Sequence, residues 1–199
     1  MLAQQNVETL NGYGAAKKTI ITACPHCFNT LAHEYPAFGG KYEVVHHSEF
    51  LAKLIGEGKL RPTRSVKAKV VYHDSCYLGR YNAVYDSPRA VLESIPGVTL
   101  VEAEYWNRER GLCCGAGGAN MWKEEEPGKT RVNTKRTLQL LDSGADTVAS
   151  ACPFCKTMIT DGVKAEEKEE EIATLDIAQM LERAIDFDRS DAEVADAAE

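Results

Sequence analysis

The sequence predicts an α/β protein with two pseudo-repeated subdomains, each built of helices and a short parallel sheet. Three observations carry this expectation. Short β-branched runs alternate with amphipathic stretches, the pattern of parallel strand–helix units. One stretch of chain occurs twice, each copy centred on an ACPxC motif. The 199 residues are 44% apolar and 27% charged, ordinary for a globular chain. No apolar run approaches the ~20 residues that span a bilayer.

Residues 1–10 (MLAQQNVETL) read as the inside of a helix, which ends at Gly14-Ala15. A β-branched run, the motif Cys24-Pro25-His26-Cys27 and a helix follow. YEVVHHSEFLAKLI (42–55) then reads as a strand leading into an amphipathic helix with Ser48 as N-cap. VKAKVVYHD (66–74) reads as a buried strand ending near Cys76, and SPRAVLESI (87–95) as a helix with Pro88 in its first turn. VTLVEA (98–103) is another strand, followed by the loop that carries Cys113 and Cys114. KTRVNTKRTLQLLDSG (129–144) is a helix with apolar positions at Val132, Leu138 and Leu141. The second copy then runs from Gly144-Ala145 through DTVASACPFCKTMI to EIATLDIAQMLERAI. In that alignment His46 and His47 fall opposite Thr174 and Leu175, so both read as structural.

The divisions implied are 1–62 for the C-terminal part of a first repeat, 63–185 for a complete second repeat, and 186–199 for a disordered acidic tail. The tail holds six acids and one base, so it carries most of the net charge of −7. Lys164 to Glu171 (KAEEKEEE) reads as a solvated helix face. No basic patch with interleaved aromatics appears, which argues against nucleic acid. The start lacks a basic region followed by an apolar core, so it does not read as a signal peptide. Seven cysteines in clustered motifs favour metal or redox chemistry in a reducing compartment.

Those cysteines are the most informative residues. Cys76 precedes the pair Cys113-Cys114 by 36 residues, and 37 separate the pair from Cys152-Pro153-Phe154-Cys155. Adjacent cysteines cannot easily both face one small ion. They suit a centre with several metal atoms, and all-thiolate ligation is what iron–sulfur clusters use. A cubane cluster needs only four thiolates, leaving the fifth to bridge, to stay free or to make room for a substrate. The competing structure is a closed four-cysteine zinc site in a non-enzymatic interaction module. The glycines that follow the pair, Gly115, Gly117 and Gly118, let backbone N–H groups approach the sulfurs. Cys24 and Cys27 allow a third reading, thiol–disulfide exchange, because strand, CPHC and helix is also a thioredoxin-like layout. In parallel sheets the loops leaving strand C-terminal ends make the site. Cys76 and both CPxC motifs belong on such loops.

The segment Tyr72-His73-Asp74-Ser75-Cys76-Tyr77-Leu78-Gly79-Arg80, the Cys113-Cys114-Gly115 loop and the two CPxC motifs resemble the CCG, or cysteine-rich, domain. That domain occurs in heterodisulfide reductase and in the iron–sulfur subunits of glycolate and lactate oxidation. The likeness is greatest to the C-terminal part of long actinobacterial membrane-associated reductases of the electron transfer flavoprotein dehydrogenase type. The resemblance covers roughly residues 1 to 185 and implies an iron–sulfur oxidoreductase. It implies a non-cubane [4Fe-4S] cluster on Cys76, Cys113, Cys114, Cys152 and Cys155. Electrons would come from a flavin or ferredoxin-type donor and pass to a quinone, a disulfide or a similar acceptor. The family carries two complete cysteine sets, so Cys24 and Cys27 read as half of a first site. Its other ligands are expected upstream of Met1 or on a partner protein. The location implied is cytoplasmic, at the inner face of the cell membrane through a missing region or partner.

Other residues carry double readings. His73 and Asp74 are candidates for a proton relay or for a hydrogen bond to a cluster sulfur; the alternative is a satisfied buried pair. Arg80 balances cluster charge, binds a carboxylate or lies on the surface. Trp106 and Trp122 read as shielding or core residues.

Overall fold

The computed structural model describes residues 1–124 and 128–187. Chain order is α1 (Leu2–Gly12), β1 (Thr19–Thr22), α2 (Pro25–Asn29), β2 (Glu43–His46), α3 (His47–Gly56), β3 (Ala68–His73), α4 (Cys76–Asn82) and α5 (Asp86–Glu93). Then come β4 (Val98–Val101), α6 (Val132–Leu141), β5 (Thr147–Ser150), α7 (Pro153–Ala165), β6 (Ala173–Asp176) and α8 (Ile177–Glu182). All pairing is parallel. β1 and β2 form a two-stranded sheet; the larger sheet has the order β4-β3-β5-β6. This is the predicted α/β architecture. Of the acidic tail, only Asp186 and Phe187 fall among the described residues, and the expectation of disorder beyond them lies outside those.

The larger sheet explains where a site can form. From β3 the chain crosses to β4 on one side, then returns through α6 to β5 on the other. The direction of winding therefore reverses between β3 and β5. At such a point the loops leaving the two strands diverge and open a crevice at their C-terminal ends. His73 pairs with Ser150 at that end, so the segments carrying Cys76 and Cys152 leave the sheet side by side.

Strand alternation divides the core between two faces. Val70, Tyr72 and Ala149 face Val91, Leu92, Ile177 and Met180 of α5 and α8, with Leu51 and Ile55 of α3 packed on the same cluster. Val71 and Val148 face Leu140, Ile159 and Val163 of α6 and α7, and this second cluster includes Cys114, Cys152 and Cys155. The sulfurs thus sit at the edge of a hydrophobic core. α6 and α7 approach closely because residue 162 is glycine: a Cβ there would collide with Thr137.

Four local expectations are corrected. Ser48 is not the N-cap of α3; His46 is, and its side chain accepts from the Ser48 N–H. Both β2 and β6 end on the N-cap of the next helix, so His46 matches Asp176 and not Thr174. Of the apolar positions chosen for α6, Leu141 packs on the core but Val132 and Leu138 do not lie on the buried face. Val132 and Leu138 are 49% and 40% exposed, whereas Asn133, Arg136, Thr137 and Leu140 are buried. The acidic run after Lys164 is not a helix face, since α7 ends at Ala165 and the chain turns, with φ 53° at Glu167.

Candidate metal centre

The site is built at strand ends and helix starts. Cys76 opens α4, two residues beyond the Asp74 that follows β3. Cys152 is the N-cap of α7, and Pro153 begins that helix without a wasted donor. Cys155 lies one turn inside it, so both thiols of CPFC face the same way. Cys24 is likewise the N-cap of α2. Between them the loop at Cys113-Cys114 turns sharply at Gly115, with φ 93°.

Six sulfurs make one continuous run. Cys76 contacts Cys113, which contacts Cys114. Cys114 Sγ lies 3.4 Å from Cys155 Sγ. Cys155 contacts Cys152, and Cys152 contacts Cys24 of the first repeat. The five cysteines of the second repeat, from three segments of chain, are therefore linked neighbour to neighbour, and Cys114 and Cys155, with a ring nitrogen of His73, lie mutually within 4.8 Å. All seven cysteines are free thiols, and Cys27 is exposed.

Backbone groups face these sulfurs. Gly115 N–H donates to Cys113 Sγ at 3.3 Å, and the Gly117 and Ala116 N–H groups approach Cys113 and Cys114. Gly118 has a different task, a left-handed turn with φ 65° that Ala119 repeats at 63°. Cys152 receives the N–H groups of Phe154 and Cys155.

The thiols divide by charge preference. Donation from Cys114 and Cys76, with loop N–H groups, pulls Cys113 far below an ordinary thiol. Donation from Cys155 and Cys24, with helix N–H groups, pulls Cys152 down to about 2. Their neighbours move the opposite way: Cys76 and Cys155 are pushed up, and Cys114 reaches about 12, because each faces an anionic neighbour in a buried place.

Two arginines that the sequence does not mark frame the site. Arg89 on α5 reaches Asp74 Oδ1 at 2.8 Å and Oδ2 at 2.9 Å, and Glu102 at 2.6 Å. Asp74 also accepts the Arg108 N–H at 2.7 Å, so it anchors the loop leading to the cysteine pair. Arg136 on α6 donates Nε–H to His73 Nδ1 at 3.0 Å. Burial, and then the Arg136 charge, hold His73 down at about 3, so its imidazole is neutral. One ring nitrogen of His73 lies within 4.8 Å of both Cys114 Sγ and Cys155 Sγ. Asp74 is thus a loop anchor. Arg80 is too, donating to the carbonyls of Gly111 (3.0 Å) and Glu109 (3.4 Å), and its charge also favours the Cys76 thiolate. Sequence reading had no signal for Arg89 or Arg136, since each sits on a helix whose polar partners come from distant strands.

Aromatic rings link the segments that carry the cysteines. His26 packs 4.1 Å from Tyr77 and 5.9 Å, edge-on, from Phe154, joining the two CPxC motifs. Trp122 meets Phe154 at 5.7 Å and is 70% exposed, so it is not core. Trp106 is also partly exposed, and its carbonyl accepts from Arg136 at 2.8 Å.

Parallel α/β architecture, a winding switch and converging thiols define a protein of the cysteine-cluster type. The sequence model of the Cysteine-rich domain family (CCG) matches residues 1–32 and 70–160, and the chain belongs to that family. Over 184 residues the chain is 47% identical to "Probable iron-sulfur-binding oxidoreductase FadF" of Bacillus subtilis, covering 92% of this chain and 26% of that protein. It is 48% identical over 191 residues to the EtfAB:quinone oxidoreductase of Syntrophomonas wolfei, with 93% and 26% covered. A third relative is a subunit of the dihydromethanophenazine:CoB–CoM heterodisulfide reductase of Methanosarcina barkeri, 37% identical over 193 residues, with 95% and 46% covered. The chain spans about a quarter of the first two relatives. No helix of the described residues is long and apolar enough to cross a membrane.

Proposed function

We propose that Cys76, Cys113, Cys114, Cys152 and Cys155 ligate a non-cubane [4Fe-4S] cluster, and that the chain is the electron-transfer portion of an iron–sulfur oxidoreductase. The observation that carries this is the run of sulfurs joining three distant segments. The residues fit such a group. The donors are all soft thiols, and five converge where a tetrahedral zinc site uses four. Loop and helix N–H groups already face the sulfurs, ready to hold negative charge. When bound, the cluster supplies one-electron transfer.

The chain's own residues do the remaining work. Cys113 and Cys152 favour the thiolate and are the first donors available to a metal. Cys76, Cys114 and Cys155 hold their protons until metal displaces them, so loading releases acid. In this reading residues 63–185 are a complete unit, and residues 1–62 supply Cys24 and Cys27 as half of another. A flavin or ferredoxin-type donor and a quinone or disulfide acceptor are the partner classes, in accord with the names of the relatives. Exchange at Cys24 is disfavoured. Its contact with Cys152 and its burial push the thiol up, the reverse of what an attacking thiol needs.

Anaerobic reconstitution tests the proposal. About four irons and four sulfides per chain are expected. Cys113→Ser and Cys114→Ser should each lose or distort the cluster. Full iron and an unchanged electron paramagnetic resonance signal in both variants would remove the pair from the ligand set. Stoichiometric zinc without iron, from iron-replete cells, would favour the zinc module.

A further inference from the structure

Arg136 is one of the largest fully buried side chains, at 0% exposure. Its guanidinium donates to His73 Nδ1 at 3.0 Å, to the Trp106 carbonyl at 2.8 Å and to Gln139 Oε1 at 3.3 Å. None of these acceptors is charged. Nη2 is buried and has no partner among the described residues. Asp74 is committed to Arg89 and to the Arg108 N–H. A buried cation with only neutral partners is strongly unfavourable unless an anion lies near. Even so, Asp74 gives the larger attraction on Arg136, and the sulfurs of Cys155 and Cys114 add to it when they carry charge.

His73 stands between that cation and the sulfurs. A guanidinium Nε–H donates only to a lone pair, so Nδ1 carries no proton and the neutral ring carries its proton on Nε2. Nε2 is buried and unpartnered among the described residues. A ring nitrogen of His73 lies within 4.8 Å of both Cys114 Sγ and Cys155 Sγ. Nδ1 is turned to Arg136, which leaves Nε2 as the nitrogen free to donate to the sulfurs.

We propose that Arg136 and His73 are a positioning pair for the sulfur site. Arg136 fixes the Nε2–H tautomer and supplies a buried positive charge, and His73 donates Nε2–H toward the sulfurs of Cys114 and Cys155. The proposal rests on the cluster reading above and assigns what tunes that centre. Reduction adds one electron and hence negative charge. A facing N–H and a buried cation stabilise the reduced form more than the oxidised form, which raises the reduction potential.

The test has a part that needs no metal. Nitrogen-15 NMR of the imidazoles in the reduced, metal-free 199-residue chain should show His73 neutral, with its proton on Nε2. In the anaerobically reconstituted chain, His73→Phe should shift the potential to a more negative value at unchanged iron content. His73→Gln, whose amide can place an N–H near the same point, should restore part of the shift. Arg136→Met should act in the same direction as His73→Phe, and Arg136→Lys less. Pulsed electron paramagnetic resonance should find a weakly coupled His73 nitrogen. A proton on Nδ1, a nitrogen bonded directly to iron, or a wild-type potential in iron-replete His73→Phe would each overturn the pair while leaving the cluster in place. A wild-type chain that takes up no iron would overturn both proposals. If the variants fail to fold, the tautomer and the nitrogen coupling of the wild-type chain decide.

Discussion

Replacing Arg89 by Met should destabilise the metal-free chain by about 3–5 kcal/mol, the cost of breaking a buried ion pair from one side. The structure supports the upper part of that range. Arg89 and Asp74 expose only 5% and 4% of their side chains, and the pair is bidentate at 2.8 and 2.9 Å. Removing the guanidinium strands the Asp74 carboxylate with one remaining donor among the described residues, the Arg108 N–H. Glu102 adds little, because its carboxylate is more than a third exposed and water can replace Arg89 there. The double variant Asp74→Leu, Arg89→Met removes both charges and should recover much of the loss. Urea unfolding with reductant and chelator present, followed by circular dichroism, reads both values if the slope is unchanged. A single-variant cost below about 1 kcal/mol, or a double variant as unstable as the single, would refute the reasoning.

Two further outcomes follow from the same packing. Gly162→Ala should cost about 1–3 kcal/mol by forcing α6 off α7, whereas Gly56→Ala, which meets open space, should be neutral or slightly stabilising in the same unfolding assay. Stability should fall as pH drops from about 7.5 to about 5.5, because burial, and next the His47 charge, hold His46 down at about 3 while an unfolded histidine titrates near about 6.5. The unfolded chain then binds a proton that the fold excludes, so acid favours unfolding. His46→Asn keeps an N-cap acceptor without the titration and should flatten that dependence; an equally steep slope would exclude His46 as a source.

The parallel strands were legible because β-branched runs such as Val70-Val71 and Thr147-Val148 lie between helical stretches of the right length. The thiol pattern was legible because spacing and adjacency are visible in one dimension. The orientation of α6 was not. Hydropathy favours Val132 and Leu138, but this helix buries Arg136 and Asn133 toward a histidine and a carbonyl from other segments. Polar side chains that satisfy one another across a core have no sequence period. The same holds for Arg89, whose carboxylates lie 15 residues before it and 13 after it in the chain. His46 escaped as a cap because its ring nitrogen does what serine or aspartate oxygens do elsewhere.

The winding reversal at β3 also fixes a timetable. β3 sits between β4 and β5, and β5 is made only after the cysteine pair. Synthesis adds about 5–20 residues per second. The 41 positions from Cys114 to Cys155 therefore leave the earlier thiols without their partners for roughly 2–8 seconds. During that interval β3 has β4 beside it but not β5, so Cys76, Cys113 and Cys114 lack the strand that brings their partners. On the proposed ligand set, a nascent chain lacks the last two donors until the second CPxC motif is made, and delivery of iron and sulfide would wait for it. On that proposal, strand order makes maturation an event that follows translation of the site and does not accompany it.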